Sequence, residues 1–84
     1  MAPEQNNEVR RMVEEIAKAL VDRPEQVSVE VAGEDQTTIF ELRVCEGDLG
    51  KVIGRQGRTA RSMRAILAIA GEKLHRRFNL EILE

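Results

Sequence analysis

The chain has 84 residues, is 42% apolar and 33% charged, and carries a formal charge of −2. A chain this short builds one small core, burying roughly 60–65% of its surface, and its composition suits a folded domain, not a disordered tail. No apolar run nears the roughly 18 residues that span a bilayer, residues 1–7 lack a secretory leader's basic start and apolar core, and a cytoplasmic location is the expectation.

The first element is a helix at about residues 7–22. Val9, Met12, Val13, Ile16, Ala17 and Leu20 recur at helical spacing on one face, with Arg10, Arg11, Glu14, Glu15 and Lys18 opposite. Asn6 or Asn7 suits the N-cap and Glu8 the first turn. Pro24 closes the helix, because it pushes Arg23 out of the α region. Val27, Val29 and Val31 then alternate with Ser28, Glu30 and Ala32, the period of a half-buried strand. Gly33, Glu34, Asp35 and Gln36 supply turn chemistry, and residues 37–44 form a second strand with Phe40, Leu42 and Val44 on one side. The two strands predict a hairpin.

Asp48 is placed to cap a short helix over residues 49–53, which Gly54 breaks. From Arg58 the helical period returns, with Ala60, Met63, Leu67, Ala70 and Leu74 on one stripe. Gly71 reads as a weak point or bend, since it costs up to about 1 kcal/mol against Ala in a helix. Phe78, Leu80 and Ile82 alternate with Asn79, Glu81 and Leu83 as a last strand. The order is helix, strand, strand, helix, helix, strand, which predicts a two-layer α+β sandwich with helices over one face of a three-stranded sheet. Ser28, Glu30, Glu41 and Arg43 suit the open face; Ile39 and Leu83 fit it less well.

Ile66 and Ile69 widen the last helix's apolar stripe beyond what a small sheet must cover, so a dimer through this helix is expected. Cys45, the one cysteine, excludes an internal disulfide and a multi-cysteine metal site, and reads as a small buried filler. His75 has no matching ligands for a metal and sits where a helix C-terminus favours a cation; Arg76 and Arg77 either do the same or extend the basic surface. No cofactor is implied. An enzyme is not indicated either: no carboxylate pair sits at the glycines, no Ser or Cys has a base, and Val52 follows Gly50 and Lys51 where a Walker loop needs Ser or Thr.

Charge is placed unevenly. Residues 49–71 hold Lys51, Arg55, Arg58, Arg61 and Arg64 and no acid, so this segment is +5 while the remainder is −7 (8 basic against 15 acidic). Arg10 and Arg11 have Glu14 and Glu15 four residues on; the second run has no such partners. At its head stand Gly54 and Gly57, two residues apart between two helices. Glycines let a ligand's backbone approach closely, the N-terminus of the following helix offers free amides and partial positive charge, and arginines fork onto phosphate oxygens. Gly-X-X-Gly turns also serve as plain helix connectors. The segregated charge and the element order favour a sugar-phosphate backbone.

In that context Gly50, Lys51, Val52, Ile53, Gly54, Arg55, Gln56 and Gly57 resemble the signature of the KH domain, an Ile-Gly-X-X-Gly loop between two helices. The element order resembles the type II, prokaryotic KH fold, covering about residues 7–83 of one domain spanning 1–84. The chain is similar to small bacterial single-KH-domain RNA-binding proteins of the KhpA (YlqC) type, which share the Gly-Lys-Val-Ile-Gly-Arg-Gln-Gly-Arg run and a closing strand like Asn79, Leu80, Glu81 and Ile82. The resemblance implies that Gly54, Arg55, Gln56 and Gly57 clamp about four nucleotides of single-stranded RNA, or of DNA. Lys51, Arg58 and Arg61 would flank the clamp, and Val52, Ile53 and Ile39 would border a groove for bases. It also implies an RNA chaperone or post-transcriptional regulator. The partners it implies are a second copy and a larger multidomain KH-containing RNA-binding protein of the KhpB (Jag) type. A ribosome-assembly or protein-interaction module, using the fold mainly for docking, is the alternative. The absence of Trp and Tyr argues against extensive aromatic base stacking.

Overall fold

A computed structural model describes residues 3–33 and 36–84. Helix α1 (Pro3–Leu20) leads into strands β1 (Ser28–Ala32) and β2 (Thr37–Arg43). The short helix α2 (Leu49–Ile53), the long helix α3 (Arg58–Leu74) and strand β3 (Arg77–Ile82) follow. Single 3₁₀ turns lie at Pro24–Gln26, Glu46–Asp48 and Arg55–Gly57. The expected α+β order holds; of the turn that joins β1 to β2, Glu34 and Asp35 lie outside the described residues.

The three strands form one sheet in the order β1-β2-β3. β1 pairs antiparallel with β2, setting Val29 beside Leu42 and Val31 beside Phe40. β2 pairs parallel with β3, setting Thr38 beside Phe78 and Phe40 beside Leu80. Parallel neighbours need a long crossover, and α2, the 54–57 turn and α3 supply it.

All three helices cover one sheet face. Val13 and Ala17 of α1, Phe40 and Leu42 of β2, Val52 of α2, Met63 and Leu67 of α3, and Phe78 and Leu80 of β3 close a single core. Phe40 and Phe78 meet edge to face, with ring centroids 5.3 Å apart. Burying a side chain such as Leu42 stabilises by about 1.5–3 kcal/mol. Met12 and Ile16 are half-buried beside this core. Leu20, expected on the same stripe, is exposed at the helix end.

Helix α1 differs from expectation at both ends. It begins at Pro3, so Asn6, Asn7 and Glu8 lie inside it and cap nothing. Proline is well suited to a first helical position, where its missing N–H has no intrahelical partner in any case. The helix ends at Leu20, before the proline restriction at Arg23 takes effect. The Val21 amide still bonds the Ala17 carbonyl, but those of Asp22 and Arg23 donate to the Asp48 carboxylate at 3.3 and 3.1 Å. Asp48 is therefore not a side-chain cap of α2. It is a buried brace between the end of α1 and the start of α2.

Gly71 does not bend α3, which continues to Leu74. It is buried, and a Cβ there would meet the Arg76 carbonyl at 2.5 Å, so its lack of a side chain lets the chain fold back into β3. His75 makes the reversal in the left-handed region (φ 57°), with its N–H on the Glu72 carbonyl. Arg76 turns inward and donates to the Thr38 hydroxyl on β2 at 3.1 Å.

Candidate nucleic-acid interface

The turn between α2 and α3 is fixed by backbone conformation. Gly54 has φ 79° and ψ 170°, a combination that essentially only glycine adopts. A Cβ at Gly54 would also collide with the Thr59 side chain, which fills the notch beneath it. Gln56 (φ 57°) and Gly57 (φ 75°) are both left-handed. The Gly54 amide bonds the Gly50 carbonyl at 2.9 Å, and the Gly57 amide bonds the Gly54 carbonyl at 3.1 Å. Holding Gln56 in this region costs about 1–2 kcal/mol, a strain of the kind that gathers at binding sites.

Gly57 is the N-cap of α3, and no side chain caps that helix. The Arg58 amide bonds the Arg55 carbonyl across the 3₁₀ turn, and the start of α3 carries the positive end of the helix dipole. Arg55, Gln56, Arg58 and Arg61 are exposed around this point. A Cβ on Gly57 would lie 3.5 Å from Nη1 of Arg61, which places that guanidinium at the turn. Among the described residues, no carboxylate lies within ion-pair distance of Arg55, Arg58 or Arg61.

Two expected members of the basic set are occupied elsewhere. Lys51 Nζ lies 3.2 Å from Asp22 and 3.9 Å from Asp48. Arg64 donates from Nε and Nη2 to the Leu80 carbonyl of β3, at 3.3 and 3.2 Å. It seals part of the sheet edge and is not a free cation beside the turn.

The apolar border also changes. Ile53 is 36% exposed next to Gly54. Val52 is fully buried in the core, because its position on α2 faces the sheet. Ile39 alternates with buried Thr38 and Phe40, so it lies on the open sheet face between Ala32 and Asn79. The helices lie on the other face, so Ile39 cannot line a groove with the turn. Ile66 and Ile69 are 42% and 68% exposed on α3. Sequence reasoning missed Asp22, the bracing role of Asp48, and Thr59. The first two act across more than twenty residues, and Thr59 is recognisable only once Gly54 is built.

A turn of this form inside a βααβ crossover, with α1 and β1 before it, defines a KH fold. The family model described as "KhpA/KhpB, KH domain" matches residues 10–82, and the chain belongs to that family. It is 44% identical over 81 residues to "RNA-binding protein KhpA" of Borreliella burgdorferi, covering 96% of this chain and 98% of that one. The Aquifex aeolicus protein of the same name is 51% identical over 77 residues, covering 90% and 96%. These relatives are named for RNA binding and not for a reaction. Among solved structures, Aquifex aeolicus Era, crystallised as a point variant with GDP and an aluminium fluoride, superposes with a TM-score of 0.60 at 20% identity. The chain matches there over 88% of its own length and spans 29% of Era's, a likeness of fold alone.

Proposed function

We propose that this protein binds single-stranded RNA by seating the sugar-phosphate backbone of about four nucleotides on the 54–57 turn. One observation carries the reading: a helix N-terminus with no side-chain cap, behind a backbone that only glycine adopts at Gly54, ringed by arginines with no carboxylate among the described residues beside them. Beyond Arg58, whose amide is taken by the Arg55 carbonyl, backbone amides of the first turn of α3 donate to phosphate oxygens, and Arg55, Arg58 and Arg61 supply charge and forked hydrogen bonds. Gly54 and Gly57 let the strand lie against the chain, and Gln56 points polar atoms at it. Ile53 offers apolar contact to a base. The names of the relatives support RNA binding.

A clamp of this size recognises little sequence alone, so the protein acts as an RNA chaperone or post-transcriptional regulator in company, in the cytoplasm. Its partner is a second copy docked through Ile66 and Ile69, or a larger KH-containing protein of the KhpB type. No helix among the described residues is long and apolar enough to cross a membrane.

The test is RNA affinity of the double variant Arg55→Asp, Gln56→Asp against the parent over a salt series. Two carboxylates at the turn should abolish measurable binding with the circular dichroism unchanged. The parent's salt slope should be shallow, about 2–3, because a single strand contributes only about 0.7 per phosphate. A much steeper slope would indicate a broad docking surface, and unchanged affinity in the double variant would sink the clamp.

A further inference from the structure

The occupied state of Lys51 has a consequence for affinity that rests on the clamp reading. Lys51 stands one helical turn before Gly54, close enough to serve the strand held at the turn. Helical side chains lean toward the N-terminus, and Lys51 follows that rule: its ammonium reaches back toward Asp48 and across to Asp22, away from Gly54. The two carboxylates differ. That of Asp48 is buried, already accepts two backbone N–H groups, and is the more distant at 3.9 Å. That of Asp22 is 76% exposed, is 3.2 Å from Nζ, and belongs to a segment outside any helix or strand. Asp48 is thus fixed by the fold, while Asp22 is held to Lys51 mainly by the pair itself.

We infer that Asp22 is an affinity-limiting residue, whose carboxylate competes with the RNA phosphodiester for the Lys51 ammonium. A phosphate arriving at the N-terminal side of the turn must displace Asp22 before Lys51 turns toward it. Exposed pairs of this type shift an equilibrium by about two- to fivefold, so the restraint weakens binding without preventing it. The cation is kept in reserve.

The experiment measures binding of a fluorescein-labelled, mixed-sequence single-stranded RNA dodecamer across a salt series. It compares the parent, Asp22→Asn, Lys51→Ala and the double variant, with Glu30→Gln on the distant sheet face as a control for net charge. Asp22→Asn should tighten binding about two- to fivefold at low salt and steepen the salt slope by about 0.7. Glu30→Gln should leave both nearly unchanged, and Asp22→Asn should have no effect in the Lys51→Ala background. A gain that persists without Lys51 would overturn the proposal, because Asp22 would then act by simple repulsion. No gain in Asp22→Asn would overturn it too: if Lys51→Ala still weakens the parent, Lys51 already meets phosphate, and if it does not, Lys51 lies off the strand's path. In all those cases the Arg55→Asp, Gln56→Asp variant still loses binding. Absence of RNA binding by the parent at low salt would instead remove the clamp and this inference together.

Discussion

Gly54 and Gly57 look equivalent in a four-residue motif, and the backbone separates them. Gly54 combines a glycine-only conformation with a notch filled by Thr59. Gly57 has an ordinary left-handed conformation, and its nearest obstacle is the movable end of Arg61. Gly54→Ala should therefore destabilise by about 2–4 kcal/mol, from backbone strain and a steric clash. Gly57→Ala should cost only about 1–2 kcal/mol. Urea midpoints of the two variants check the order, and equal losses would mean that Thr59 moves aside at no cost. The glycine spacing was visible in the sequence, but this asymmetry was not. It depends on ψ at one residue and on a side chain five positions later.

At the scale of elements, periodicity located α1, α3 and the three strands, because each buries one face against the same core, while the five-residue α2 was placed by Asp48 and Gly54. What it could not supply was the long-range partner. Asp48 sits where a local cap is common, yet its acceptors are taken by amides 25 and 26 residues earlier. Val52 read as groove-lining only while the facing of α2 was unknown, and Ile39, already on the strand face opposite Phe40 and Leu42, entered the groove from the family resemblance alone. The register of the sheet shows a further feature: Glu30, Glu41 and Glu81 stand side by side across all three strands on the open face. Like charges opposite each other weaken a sheet. Replacing the central one, Glu41→Thr, removes two such pairings and adds a β-branched residue. Stability should rise by about 0.5–1 kcal/mol. Thermal melts read the gain, and a lower midpoint would show that the row is stabilised by something beyond the paired strands.

For the whole molecule, the sheet and its three helices leave α3 with two exposed isoleucines on the side not taken by the core. Ile69→Asp places a charge where 68% of the residue is already accessible, so the monomer's fold should tolerate it. If α3 is the face on which copies meet, sedimentation of this variant should show monomer at concentrations where the parent is dimeric. An unchanged distribution would move the interface elsewhere. A dimer of this kind carries two clamps on one particle, and a strand long enough to reach both gains avidity without any new contact.

The bonds within the 54–57 turn bear on the tempo of recognition. Gly54 to Gly50, Gly57 to Gly54 and the Thr59 wedge hold the loop in shape without RNA. The disorder it gives up is lost once, when the chain folds, and not again at each encounter. Stopped-flow mixing should accordingly show a single phase whose rate climbs linearly with RNA concentration, with no slower ordering step behind it. On the proposed clamp, residence time would then be set by how firmly a few phosphates are gripped.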